Sequence, residues 1–495
     1  MMLRTLFLIV SEKLFGIEVM KLKIINATIK QIENDRILRF NYKTLSLSSK
    51  LNYLFVKEFP HCRIKDLFYM INGFAFSSKD YLDEGIPLVR IGDLNNDVVG
   101  FGTAFLPDDY LNIFTNYQIK KNDILVSLTG DGRLKIAIAQ NDNMLLNQRI
   151  GALRPLKNLN IMFYYYLLNT DIVKTQFEFY SNGKSQLNIS PKDFLNIKVP
   201  IVSEKQIAKL MGIIAPFEVM INALKAQIKP IQSIIDDVFS REFGLDYTQL
   251  DEIKTRKRFD VNISAFSNNP DLRFSAKFHR PAGEFVMEQL QGITSKKIKH
   301  YLAEPITLGA SVSPNDYSED GEFYYISMAT IKNWHFESED AKFVSKPYSD
   351  DKRTKTVTVN DILLARSGEG TIGKVALIDN EELQGVFADF TMRIRLTNYN
   401  HLFAYYYFRT SFFQYLIEVY KKGLGNNTNI FPSAVREFPI PDFSLIEQQR
   451  IVNEIKTGID KQDSIKAKIE ELRVQIDTII ENSLVNLKKY KENEL

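Results

Sequence analysis

A chain of 495 residues with 45% apolar and 25% charged side chains has room for two or three ordinary globular domains, each with its own core. A formal net charge of +3 is too small to announce a nucleic-acid or membrane partner by itself. One cysteine, Cys62, excludes an internal disulfide and a cysteine-based metal cluster, which points to a reducing, cytoplasmic setting.

The chain opens on Met1 to Met20, where an apolar run from Leu6 to Val10 is too short for a membrane span and no small-residue cleavage site follows. The expectation is a buried or ragged N-terminal extension over residues 1–37, with Met20 as an alternative start. Beyond it, one pattern is written twice, from Leu38 to Val238 and from Leu272 to Ile480. Leu38-Arg39-Phe40 returns as Leu272-Arg273-Phe274, Asn122-Asp123-Ile124-Leu125 as Asn360-Asp361-Ile362-Leu363, and Tyr164-Tyr165-Tyr166 as Tyr405-Tyr406-Tyr407. Val199-Pro200 returns as Ile440-Pro441. A period this long is not a solenoid repeat and implies two homologous domain-plus-helix units.

In each copy, short β-branched and aromatic runs come first: Ile86 to Ile91 and Asp123 to Leu128, then Phe323 to Ile326 and Asp361 to Ala365. An amphipathic aromatic segment follows, Ile161 to Tyr180 and His401 to Tyr420, each read as one helix. The copies then end in apolar seams. The first runs through Ile207, Leu210, Ile214, Phe217, Ile221, Leu224, Ile228, Ile231, Ile235 and Val238, the second through Ile465, Ile469, Leu472, Ile476 and Ile479. A helix from Ile207 to Val238 would be roughly 45–50 Å long, and one helix from each half can cover the other's stripe as an antiparallel pair. Pro216 and Pro230 predict a kink or break near one of them.

Gly368-Glu369-Gly370-Thr371-Ile372-Gly373-Lys374 fits dinucleotide and P-loop spacing, but both need a helix to start at the glycines. Val375-Ala376-Leu377 reads as a strand instead, so the segment is a β-hairpin turn, matched in the first copy by Gly130-Asp131-Gly132-Arg133-Leu134-Lys135-Ile136-Ala137. Gly100-Phe101-Gly102 is too isolated for a methyl-donor site, and Asn269-Pro270-Asp271-Leu272 lacks the aromatic partner that base-flipping chemistry needs. Histidines 61, 279, 300, 335 and 401 show no metal-ligand spacing, and no nuclease or hydrolase arrangement stands out.

What remains is binding. Basic clusters at Lys254/Arg256/Lys257/Arg258, Lys296/Lys297/Lys299 and Lys352/Arg353/Lys355 are solvated faces or phosphate contacts. Two polar loops occupy equivalent places between aromatic segment and seam, Ser181 to Ser190 and Lys421 to Ile430. Their Lys184, Gln186 and Asn188, and Lys422, Asn426, Asn427 and Asn429, together with Arg133, Arg366 and Lys374 of the glycine turns, are the candidate DNA contacts. Amides read adenine edges, cations read guanine or hold phosphate, and glycine lets backbone approach. A polar turn that caps a helix explains the loops equally well.

In order along both copies, the residues resemble the specificity subunit of type I restriction-modification enzymes. The carrying features are Gly73-Phe74-Ala75-Phe76, Ile86-Pro87-Leu88-Val89-Arg90-Ile91-Gly92-Asp93-Leu94, Asp361 to Gly368, Ile372-Gly373-Lys374-Val375-Ala376, Phe438-Pro439-Ile440-Pro441 and Glu447-Gln448-Gln449-Arg450-Ile451. The first copy departs from the family's more usual pattern at Gly130 to Ala137. The resemblance implies an α+β protein with a pseudo-twofold internal repeat: two homologous mixed α/β target-recognition domains, 38–200 and 246–441, separated by long antiparallel coiled-coil-like helices in 201–245 and 442–495. It further implies that each head reads one half of a bipartite double-stranded DNA target. Two modification subunits would methylate adenine with S-adenosylmethionine, and restriction subunits would cleave DNA with ATP and Mg, leaving this chain without catalysis or cofactor. A fused methyltransferase or nuclease would need catalytic motifs that the chain does not display, and a general scaffold would not need two divergent heads.

Overall fold

The computed structural model describes residues 5–14, 17–26, 60–82, 84–95, 98–99, 102, 104–130, 133–182, 187–256, 258–267, 273, 275, 277–339, 341–368, 370–423 and 428–492, with side chains from 60 to 484. Contacts group the chain into two units, Met1–Ala226 with Lys468–Leu495, and Gln227–Ala467.

In the first unit, β1 (Thr5–Leu14) and β2 (Ile17–Asn26) pair as an antiparallel hairpin where no regular element was expected. The head contains β3 (His61–Arg63), β4 (Phe68–Asn72), β5 (Ile86–Val89), β6 (Val98–Val99), β7 (Ala104–Leu106), β8 (Gln118–Ile119), β9 (Ile124–Ser127), β10 (Thr129–Gly130), β11 (Ile136–Ala139), β12 (Met144–Leu146) and β13 (Ile150–Pro155). After them come α1 (Ile161–Asn169), α2 (Asp171–Tyr180), β14 (Leu187–Asn188), α3 (Pro191–Leu195), β15 (Lys198–Pro200) and α4 (Glu204–Lys225). A five-stranded sheet, β4-β13-β9-β11-β6, and a four-stranded sheet, β7-β5-β12-β8, form the body. Their shared core holds Val89, Met144 and Leu146 of one sheet against Leu125, Ala137 and Ala152 of the other.

The second unit repeats this order. It begins with α5 (Ile231–Phe243), α6 (Tyr247–Lys254), α7 (Ile263–Ser267) and α8 (Pro281–Ile293). Its strands are β16 (Thr307–Leu308), β17 (Tyr317–Ser318), β18 (Phe323–Ile326), β19 (Ile331–Lys332), β20 (His335–Phe336), β21 (Phe343–Val344), β22 (Ile362–Ala365), β23 (Val375–Leu377), β24 (Gly385–Phe387) and β25 (Thr391–Ile394). Then follow α9 (His401–Arg409), α10 (Ser411–Tyr420), α11 (Pro432–Val435) and α12 (Leu445–Glu492). The sheets are β16-β25-β22-β23 and β17-β21-β18-β24. Alternate residues of β22 explain why its sequence is an unbroken apolar run: Ile362 and Leu364 face the helices, whereas Leu363, with Ala376 beside it on β23, faces Ile326 and Phe387 of the second sheet.

Each aromatic segment, read as one helix, is two. Thr170 and Thr410 adopt extended backbone at ψ 157° and 146°, so α1 stops before α2 and α9 before α10. The tyrosine triplets are core. The Tyr407 hydroxyl donates to the Pro439 carbonyl at 2.8 Å and Tyr399 to Pro441 at 2.7 Å, which gives the Phe438-Pro439-Ile440-Pro441 strap its packing role.

The first seam breaks at Pro230. Pro216 stays inside α4, but Pro230 lacks an N–H and has extended backbone, so α4 ends at Lys225 and α5 starts at Ile231. Ile228 falls in the break and is 38% exposed, not in the seam. Ile207, Leu210, Ile214, Ile221 and Ile235 are buried, Leu224 and Ile231 half-buried. Ile465, Ile469, Leu472 and Ile476 are buried, but Ile479 gives way to Ile480 and Leu484. This end of α12 packs on the head as well as on a helix, since Glu481 accepts the Asp171 backbone N–H at 3.2 Å.

Antiparallel pairing holds in the second unit. Along α5 and α12, the Lys229 N–H donates to Gln462 at 2.9 Å, an added Cβ at Gly458 would meet Ile234, Arg241 pairs with Glu454, and Arg450 with Glu242. Numbers rise on one helix as they fall on the other. The rest of α12, from Lys468, belongs to the first unit, where Arg473 lines a cavity of about 250 Å³ with Ile221, Asn222 and Lys225 of α4.

Candidate nucleic-acid interface

Both heads build the same rigid turn first. Asn122 and Asn360 each take φ 71°, a left-handed conformation that asparagine tolerates. The next residue, Asp123 or Asp361, is 1% exposed and accepts the N–H of Lys120 or Thr358 at 2.8 Å. Each aspartate then takes an arginine: Arg154 at 2.7 Å in the first head, Arg395 at 2.7 Å in the second. Hydrogen bonding to the aspartate raises both guanidinium pKa values. In the second head Glu304 joins in, contacting Arg393 at 2.5 Å and Arg395 at 3.3 Å. This turn leads into β9 or β22, the strand that delivers the glycine turn.

The glycine turn behaves as its sequence predicts. Gly368, Gly370 and Gly373 take φ 88°, 78° and 86°, and β23 then pairs antiparallel with β22. No helix starts there to hold a phosphate. Gln414 of α10 fixes the turn by donating to the Gly373 carbonyl at 2.8 Å.

The turn and the polar loop, picked out separately in the sequence, are neighbours in both heads. In the first, Asn182 and Asn188 exchange two backbone hydrogen bonds of 2.7 Å, and β14 pairs with β10 so that Asn188 lies opposite Thr129 and Leu187 opposite Gly130. In the second, Lys422 and Asn429 exchange bonds of 2.8 and 2.7 Å, Asn429 bridges to Ser367, and the Ile430 N–H donates to Arg366 at 2.9 Å. A stapled stem on a strand-borne turn is a firm base for contact residues.

Candidate residues divide on this platform. Arg133, Asn188 and Lys422 are exposed; Lys374 and Asn429 are half-buried. Arg366 is committed inward, its Nε donating to the Asp389 carbonyl at 3.0 Å beside Phe390, which is 46% exposed. Lys184, Gln186, Asn426 and Asn427 lie outside the described residues. Strand pairing between Thr129 and Asn188, or Ser367 and Asn429, left no signal in the sequence because each pair is about 60 residues apart.

The basic clusters are partly neutralised. Lys297 and Lys299 both reach Glu437, at 3.0 and 2.8 Å, and their hydrogen bonds hold its carboxyl down at about 2. Lys352 and Arg353 pair with Asp351 and Asp350, and Lys254 and Arg256 with Asp251 and Glu252. Among the described residues no group of three or more His, Cys, Asp or Glu side chains is placed to hold a metal ion.

A family model described as the type I restriction modification DNA specificity domain matches residues 56–230 and again 305–474. The MjaVIII specificity subunit of Methanocaldococcus jannaschii is 28% identical over 151 residues, covering 28% of this chain and 34% of the relative. The EcoAI specificity subunit of Escherichia coli is 30% identical over 106 residues, 20% of this chain and 18% of the relative. The chain thus spans about a third and a fifth of the curated relatives it matches. The crystal structure of a type I restriction-modification S subunit from M. genitalium aligns over 86% of this chain and 96% of its own, at 16% identity and a TM-score of 0.36. With both copies of the domain matched across two heads of one architecture, the chain belongs to the type I restriction-modification specificity family.

Proposed function

We propose that this chain is the DNA-reading subunit of a type I restriction-modification complex in the cytoplasm, each head reading one half of a bipartite double-stranded target, with no catalysis of its own. The doubled platform carries the reading: one strand pairing staples a polar loop to a glycine turn in each head, while the side chains on the two platforms differ. Framework and readout are thereby separated, as two independent half-sites require. Exposed amides suit base edges and lysine or arginine suits phosphate.

The partners in this reading are two modification subunits, which would use S-adenosylmethionine, and restriction subunits, which would use ATP and Mg; no cofactor is assigned to this chain. The helices following each head would set the gap between half-sites. For docking, α4 offers an apolar outer face on which Ile213, Val219 and Met220 are 46%, 69% and 48% exposed. The second repeat has Thr457, Asp463 and Ser464 at the matching positions, so the two faces differ in chemistry. Val219→Asp should weaken association with the modification subunits and leave the unfolding midpoint unchanged.

Exchanging residues 246–441 for those of a family member with another target tests the main reading through sequencing of methylated DNA. One half of the methylated motif should change. A motif altered in both halves, or in neither, would refute two independent readers.

A further inference from the structure

The C-terminal end of α10 is where the second head's loop departs, and its carbonyls are held by a residue almost 150 positions earlier in the chain. A helix end leaves carbonyls without intrahelical partners and carries partial negative charge. Lys421 follows in extended backbone at φ −62° and ψ 147°, with no glycine cap at that position. Arg273 closes this end: its Nη1 donates to the Val419 carbonyl at 3.3 Å and its Nη2 to Lys421 at 2.6 Å. The guanidinium lies 4.4 Å from the ring centroid of Phe278, and His279 Nε2 lies 2.6 Å from the Arg273 carbonyl. Nearby, Glu418 pairs with Lys277 at 2.8 Å and with Lys421 at 2.6 Å. Close approach of α8 supports the arrangement, since a Cβ on Gly283 would stand 3.1 Å from Val419.

The first head adds a local bond at the matching helix end. Ser181 returns both its hydroxyl, at 2.6 Å, and its N–H, at 3.0 Å, to the Phe177 carbonyl. Lys421 occupies that place in the second head, where its N–H bonds the Ile417 carbonyl at 2.9 Å and its side chain offers no hydroxyl.

We propose that Arg273 is a positioning residue for DNA reading by the second head: by gripping the Lys421 carbonyl it fixes the direction in which the Lys422–Asn429 stem leaves α10. This rests on the reading of that loop as a DNA contact. The next residue, Lys422, is the one that pairs with Asn429, which in turn bridges to Ser367, so a released Lys421 frees the whole stem. Arginine is required because only a planar fork reaches two carbonyls while stacked on a ring. A lysine keeps the charge and loses the fork.

The test uses the full chain for hydrogen exchange and the assembled methyltransferase complex for binding to duplexes mismatched in one half-site. Arg273→Ala and the milder Arg273→Gln should raise exchange of the Lys422 and Asn429 amides at least tenfold and leave Asn182 and Asn188 unchanged. Discrimination against mismatches in the second half-site should fall at least tenfold, with the first half-site intact. Arg273→Lys should resemble Arg273→Ala, which separates fork from charge. Wild-type exchange at Lys422 and Asn429 would overturn the proposal, as would loss of the cooperative unfolding transition in both milder and harsher variants. Raised exchange with undiminished discrimination would instead overturn the loop's reading role.

Discussion

A carboxylate from a supporting helix holds the second aromatic helix of each head at its N-terminus, and the two grips are unequal. In the second unit Asp236 of α5 accepts both the N–H of Ser411, at 2.9 Å, and its hydroxyl, at 2.7 Å, while Gln232 donates to the Arg409 carbonyl at 2.6 Å. In the first unit Glu481 of α12 accepts the Asp171 N–H alone, at 3.2 Å. Serine offers the carboxylate a second donor, whereas aspartate offers a like charge. The same scaffold position therefore carries a strong anchor in one unit and a weak one in the other. Duplication preserved where the helix is gripped, and divergence decided how firmly.

The buried aspartates of the two turns carry the largest expected costs. Asp123→Ala strands Arg154, whose remaining contacts are Gln118 and Tyr69, and should cost about 3 kcal/mol. Asp361→Ala leaves Arg395 with Glu304 and Thr358 and should cost about 2 kcal/mol. Urea unfolding with exchange read separately in each unit checks both. Equal costs would show that Glu304 contributes nothing.

Asp236→Ala leaves the Ser411 N–H and hydroxyl without their acceptor and should cost about 2 kcal/mol, localised to α10. Glu481→Ala should cost about 0.5 kcal/mol or less, because the bond is single and exposed. If α2 frays as much as α10 under exchange, the unequal grip is refuted.

The acidic crowd at the weaker anchor adds a pH signature. Burial pushes the Asp477 carboxyl up to about 6, Glu481, Glu470 and Asp171 add to the rise, and Lys174 opposes it. A raised native pKa means that the folded state binds the proton more tightly than the unfolded one. The stability it contributes is therefore present below about pH 4 and lost as pH rises through 6. Asp477→Asn should raise stability at pH 7 by about 1 kcal/mol after allowance for solvent screening, and do nothing at pH 4. Thermal unfolding at the two pH values measures it; a gain of equal size at both would sink the assignment.

The smallest effect compares the platforms themselves. Arg133→Ala in the first head and Lys422→Ala in the second should each weaken DNA binding to every sequence alike and lower the salt slope by about one. Titration of the assembled complex at several salt concentrations measures this. A change in base preference would reassign either residue to the base edges.

Much of this was legible in the residues. The repeat located both heads; the short run at Asp361 to Ala365 marked a strand; and Val375-Ala376-Leu377 after the glycines excluded a phosphate-binding helix. The helix break was legible only as a choice between two prolines, settled by Pro230 where α4 gives way to α5. Within the site, the sequence located the turn and the loop but not their union.

Local chemistry is written in neighbouring residues, so the sequence by itself determined the family, the two-headed organisation, the glycine turn before β23 and the apolar seams of α4 and α12. Tertiary structure alone decided the pairing of Ser367 with Asn429, the capping of α10 by Arg273, and which carboxylate grips which helix. Those contacts join residues tens to hundreds of positions apart, and an arginine or aspartate in a sequence does not say which distant carbonyl or N–H it will meet. Only the packing of sheets and helices brings the partners within hydrogen-bond reach.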